Sequence, residues 1–166
     1  ENKMIIMIQH FIKLPLLSSL SKIGLLLFPL FVINCNSSDI EIDKYDTIQR
    51  ILKDSLNVKP YDKILVLTEE GCIGCNKSYA LLMEDMLESN ALIVVTALGT
   101  TVDISEFSED KYDNIVYDYK NYFKRNNILQ TSGAVFLSDN KIDTIITLDA
   151  EELESQLTYI HRVTLN

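Results

Sequence analysis

The sequence predicts an α/β fold, a central mixed β-sheet flanked by helices, on three observations. Residues 63–68, built on Ile-Leu-Val-Leu, and residues 91–97 (Ala-Leu-Ile-Val-Val-Thr-Ala) are short apolar runs, the pattern of strands buried on both faces. Between them, residues 73–88 place Cys75, Tyr79, Leu82 and Met86 at helical spacing, so a helix joins the two strands and they run parallel. Residues 134–138 and 142–148 again read as strands. Asp139, Asn140 and Lys141 stand at the turn, a connection short enough for an antiparallel hairpin.

The other elements follow in chain order. Lys3, Lys13 and Lys22 precede the apolar run 23–33, and no acidic residue lies between Met4 and Cys35, which is the architecture of an export signal. The run has eleven residues and contains Pro29, so it is short of the ~20 residues that cross a bilayer as a helix. Val32, Ile33, Asn34 and Cys35 resemble the lipobox of bacterial lipoproteins, with Asn34 where Gly or Ala is usual. The resemblance implies a signal peptide over 1–35 and a lipid anchor on Cys35. It also implies a place in the bacterial cell envelope, on the periplasmic or cell-surface side. Residues 36–43 are expected to be a linker. A helix is expected over 43–56, with Tyr45, Ile48, Ile51, Leu52 and Leu56 as its apolar stripe and Pro60 beyond its end. The polar connection 99–113 is expected to hold a short helix, 114–117 a short strand and 119–126 a helix, with Tyr117, Tyr119, Tyr122 and Phe123 packed around it. The last helix, 149–163, opens with Asp149 and Glu152 at capping-box spacing and turns Leu153, Leu157 and Ile160 inward.

The residues that carry chemistry are Gly71-Cys72-Ile73-Gly74-Cys75, where the first strand gives way to the helix. Cys72 then lies at a helix N-terminus, where unpaired N–H groups and the helix dipole stabilise a thiolate and lower its pKa from the ordinary ~8.5. Cys75, one turn further on, reaches the same sulfur and can close a disulfide. Glu69 and Glu70 oppose the thiolate by like charge. They are also the nearest candidates for moving a proton to and from Cys75. A chain of about 130 residues beyond the leader buries a core without staples, so the pair points to thiol chemistry rather than scaffolding.

In the order of its elements over roughly 61–161, and in Cys72-Ile73-Gly74-Cys75, the chain resembles the thioredoxin-like superfamily. The closer likeness is to its exported, membrane-anchored thiol:disulfide oxidoreductases. The resemblance implies a thioredoxin-like domain over 44–166, with Cys72 the exposed nucleophile that attacks a substrate disulfide and Cys75 the resolving thiol. It implies no cofactor, and as partners exported proteins with disulfides, a redox partner, and the membrane through the lipid anchor. Asp118, after Ile115-Val116-Tyr117, matches an aspartate that often ends the third strand of such proteins, and also suits a helix N-cap. Three positions depart from the family pattern. Gly71 stands where Trp is usual, Val66 where many members carry a buried acid, and the cis-proline that faces the cysteine pair is missing, its place falling at about Ser132. A cis bond before a residue other than proline costs ~3 kcal/mol, so that loop is expected to be trans.

Charge narrows the partners. Beyond residue 35 stand 12 Lys and Arg against 23 Asp and Glu, a net charge of −11, which repels phosphate and anionic headgroups. Nucleic acid is thereby disfavoured, and membrane attachment is left to the lipid. Five scattered glycines form no phosphate-cradling loop. A Cys-His dyad or a serine hydrolase would have to use His161, the one histidine beyond the leader. Two readings stay open beside disulfide exchange. Cys72 and Cys75 supply two soft ligands for a metal such as copper, although no third is evident and no metal site is assigned. A tethered interaction module with a static disulfide would instead use its acidic surface or the 99–113 connection.

Overall fold

The structure, a computed structural model, describes residues 37–166; the stretch expected to be an export signal and Cys35 lie outside the described residues. Its elements are α1 (Ser37–Arg50), which continues as one π-helical turn over Ile51–Ser55, β1 (Lys63–Leu67), α2 (Ile73–Glu84), β2 (Leu92–Val95), β3 (Ile115–Tyr117), α3 (Tyr122–Arg125), β4 (Gly133–Ser138), β5 (Lys141–Thr147) and α4 (Leu153–Leu165). The strands form one sheet in the order β3-β2-β1-β4-β5. β1, β2 and β3 are parallel neighbours, while β4 runs antiparallel to both β1 and β5. The mixed sheet and its parallel β1/β2 pair are those expected from the two apolar runs, and the arrangement is compatible with a thioredoxin-like fold.

Two-residue periodicity divides the core into two layers. Leu65, Leu67, Ile93 and Val95 face α2 and α4, where they meet Tyr79, Met83 and Ile160. Ile64, Val66, Leu92 and Val94 face the other way, onto Ile48, Ile51 and Leu52 of the first helix and Phe123 of α3. All eight strand residues are buried, and each such side chain stabilises the fold by ~1.5–3 kcal/mol relative to leaving it in water. β1 is therefore a rigid central support, and the turn that leaves its C-terminal end carries the cysteine pair.

Several boundaries differ from expectation. The helix begins at Ser37, so most of the stretch expected to be a linker is helical. α2 ends at Glu84 rather than 88, because tight turns (Met86 N–H to Met83 O, Ser89 N–H to Met86 O, both 2.9 Å) tuck Met86 and Leu87 into the core. Segment 99–113 forms turns and no helix. Its fixed points are buried Val102 and Phe107, and the Asp103 carboxylate accepts the Ser105 N–H at 3.0 Å, a local bond that competes with helix formation. Asp149 does not form the capping box. Its carboxylate accepts the Glu151 N–H at 2.8 Å and its own N–H donates to Gln156 Oε1 at 2.9 Å, so it closes a separate turn and α4 starts at Leu153. In the hairpin the turn is Asp139-Asn140, both left-handed with φ of 51° and 59°, and Lys141 already belongs to β5.

Candidate functional site

β1 ends in a turn held by bonds between backbone groups and short polar side chains. Buried Thr68 donates its N–H to Ser132 Oγ at 2.9 Å, and its own hydroxyl accepts the Glu70 N–H at 3.1 Å. Gly71 follows with φ +84°, and a Cβ there would lie 2.8 Å from Thr131 Cγ2. Both the left-handed backbone and the close approach call for glycine, which accounts physically for glycine at a position where an aromatic residue would not fit this turn.

Cys72 is the N-cap of α2, in extended conformation, and is joined to Cys75 by a disulfide with the Cα atoms 5.1 Å apart. Its Sγ also accepts the Cys75 N–H at 3.1 Å, the side-chain bond of an N-cap. The two sulfurs are unequal in access: Cys72 is exposed and Cys75 is 2% exposed. Asn76, which helical periodicity puts on an outer face, is buried at 1% and donates from Nδ2 to Glu70 O at 2.9 Å, tying the first turn of α2 back to the turn before it. Nothing in the spacing signals this, because the tie depends on how the turn folds over the helix.

The two glutamates turn to opposite partners. Glu69 accepts the Thr100 and Thr101 N–H groups on Oε1 at 2.5 and 3.0 Å and the Thr100 hydroxyl on Oε2 at 2.7 Å. Its pKa is lowered, first by the Thr100 hydroxyl and then by the Thr101 amide. Glu70 forms an ion pair with Lys124 of α3. Both carboxylates thus anchor neighbouring elements around the pair: Glu69 the segment after β2, Glu70 the short helix.

Opposite the turn stands the loop that enters β4. Every described peptide bond in it is trans. Ser132 is fully buried; its hydroxyl accepts from Thr68 N–H and returns a bond to Thr68 O at 3.3 Å, and its carbonyl accepts the Leu148 N–H at 3.0 Å. Gly133 follows, where a Cβ would lie 2.0 Å from Ile146 O. The Gly133 carbonyl accepts the Tyr79 hydroxyl at 2.7 Å, and burial pushes the Tyr79 pKa far up, so this phenol stays a neutral donor. Thr131 and Gly133 carry no signal in the sequence, and Tyr79 reads there only as part of the apolar stripe of its helix. Their roles arise from contacts between segments distant in the chain, Tyr79 to Gly133 and Gly71 to Thr131, and from Gly133 against the neighbouring strand, which no local pattern records.

Val66 points into the layer under α1 and α3, whereas Cys75 belongs to the layer under α2. No acid lies at Val66, which is buried and apolar. Asp118 is buried, with Oδ2 accepting the Tyr122 N–H at 2.6 Å and Oδ1 the Lys120 N–H at 3.2 Å; desolvation raises its pKa against these bonds. It caps α3. Among the described residues no group of three or more His, Cys, Asp and Glu is arranged to hold a metal, and His161 sits partly buried on α4.

Fold and site together define an α/β protein with a disulfide-forming Cys-x-x-Cys pair, one sulfur exposed and one buried, at the N-terminus of the helix that follows the central strand. That arrangement is consistent with redox exchange. No protein-family model, curated protein or solved structure matches the chain.

Proposed function

We propose that the chain is an exported, lipid-anchored thiol:disulfide oxidoreductase of the thioredoxin-like type, acting on the disulfides of other exported proteins. The observation that carries this reading is the unequal exposure of the two joined sulfurs at the N-cap of α2. In the reducing direction the Cys72 thiolate attacks a client disulfide, forms a Cys72–client bond and releases the other client sulfur as a thiolate. The Cys75 thiolate then attacks Cys72, restoring the Cys72–Cys75 disulfide and releasing the second client sulfur. Two electrons pass to the client, and a dithiol partner in the envelope returns them. The reverse sequence donates the disulfide instead.

Electrostatics supports Cys72 as the attacking sulfur. The first turn of α2 holds no acidic residue, and the charges of Glu69 and Glu70 are answered by the Thr100 and Thr101 donors and by Lys124. Lys124 thereby offsets the charge of Glu70, whereas the Thr100 and Thr101 donors hold Glu69 ionised and turned toward residues 100–101. A metal such as copper would find two thiolates and no third ligand among the described residues.

Redox titration of the purified protein in glutathione buffers, read by mass-resolved thiol alkylation, tests the proposal. A reversible two-electron transition between about −120 and −270 mV places the pair among working exchange catalysts and gives its direction. A disulfide that resists reduction below about −300 mV is structural and favours the tethered-module reading. Trapping assigns the roles: Cys75→Ser accumulates mixed disulfides through Cys72, and accumulation in Cys72→Ser instead would reverse them.

A further inference from the structure

Five large apolar side chains are strongly exposed among the described residues, and two of them, Ile73 at 52% and Leu81 at 64%, lie on the same side of α2. They continue from the disulfide along the helix through Lys77, at i, i+4 and i+8. At the far end lies a cleft of about 330 Å³ between α2 and residues 101–103, with Ala80, Leu81 and Val102 as apolar walls and Lys77, Glu84 and Asp103 at its rim. Glu69 fixes this second wall, since its carboxylate holds Thr100 and Thr101.

We propose that this cleft is a client-docking subsite. It takes a large aliphatic side chain, beside a basic residue, from an extended client segment about four residues from the cysteine under attack. The inference rests on the reading that Cys72 exchanges disulfides with a client. Cys72 and Leu81 are nine residues apart in sequence, about 13 Å along a helix at ~1.5 Å per residue, a distance that an extended chain covers in about four residues. Ile73 lies beside the place where the client sulfur must sit, and Lys77 separates it from Leu81 along the same side of α2. Two carboxylates against one ammonium at the rim favour a basic neighbour. The net charge of −11 beyond residue 35 disfavours a second copy of the chain as the occupant.

The experiment uses the reduced full chain and synthetic peptides with one cysteine held as a mixed disulfide with thionitrobenzoate. The peptides carry Leu-Arg, Gly-Arg or Leu-Glu four residues to either side of the cysteine. Attack on the peptide sulfur releases thionitrobenzoate, and Cys75 then frees the peptide thiol, so the two-electron balance closes on the protein's own dithiol. Leu-Arg is expected to react about tenfold faster than Gly-Arg, the effect of burying much of one leucine side chain, and severalfold faster than Leu-Glu. Leu81→Ser should abolish the leucine preference, bringing the Leu-Arg rate down to that of Gly-Arg. Equal rates for Leu-Arg and Gly-Arg overturn the subsite and leave exchange standing. Failure of all three peptides to react overturns the exchange reading and the subsite with it. A wild-type dimer in sedimentation that Leu81→Ser dissociates would assign the cleft to self-association and also overturn the proposal.

Discussion

The turn 68–71 and the loop 130–133 meet beside the disulfide, Gly71 against Thr131, yet they are held by different kinds of contact. The loop is neutral and buried at Ser132 and Gly133: Ser132 bridges to Thr68, Gly133 lies against Ile146 and Tyr79 donates to the Gly133 carbonyl. The turn puts its charges outward, Glu69 onto an exposed segment and Glu70 onto Lys124. Buried neutral bonds resist solvent and salt and are costly to orphan, whereas exposed charged ones are screened and individually weak. Position of the loop should therefore depend on a few contacts with large energies, and position of the turn's outer partners on several with small ones.

The largest effect is expected from Gly133→Ala. The atom that its Cβ would meet is a backbone carbonyl of the neighbouring strand, which cannot swing away, so the β4/β5 pairing must shift. A loss of about 3 kcal/mol in denaturant unfolding is expected. A neutral outcome would show that the hairpin yields, and would break the contrast between the two walls. Ser132→Ala comes next. It leaves the buried Thr68 N–H without its acceptor, at a cost of about 2 kcal/mol by the same measurement.

Gly71→Ala joins the two walls. The left-handed backbone alone costs about 1–2 kcal/mol, and the new methyl also presses on Thr131 Cγ2. Here the obstacle is a side chain, so the Gly71→Ala, Thr131→Ser double variant should recover the steric part and retain the backbone part. A double-mutant cycle with no coupling would mean that turn and loop do not bear on one another.

The smallest effect falls on the exposed side and appears as pH dependence. Glu69 has a folded-state pKa below its ordinary 4.5, so the stability it contributes is present above that value and is lost as pH falls through the folded pKa. The melting-temperature gap between the protein and Glu69→Gln should be widest near neutrality and close in acid. A gap that is constant across pH would show that the Thr100 and Thr101 bonds do not depend on the charge.

The legible part of this molecule was the part written in local periodicity. Apolar runs at 63–68 and 91–97 foretold two strands buried on both faces, and the helix between them foretold their parallel pairing. The short connection between the runs 134–138 and 142–148 foretold the hairpin, and the structure adds that Asp139 and Asn140 take the left-handed backbone of its turn. Gly71-Cys72-Ile73-Gly74-Cys75 marked the site, since a strand-to-helix junction presents its N-cap at the end of the sheet. The Asn76 tie and the Asp149 turn escape periodicity because a short polar side chain can bond to nearby backbone whatever face it occupies.

By itself, then, the sequence determined the mixed sheet, the junction that bears Cys72 and Cys75 and their reach for one another, because strand and helix patterns and a three-residue spacing are properties of neighbours along the chain. Only the tertiary structure decided that Cys75 is buried, that Glu69 and Glu70 anchor flanking elements, and that Ser132 and Tyr79 support the wall facing the pair. These depend on which distant segments close over β1. The partner of a buried hydroxyl or carboxylate is set by that closure, not by the residues beside it.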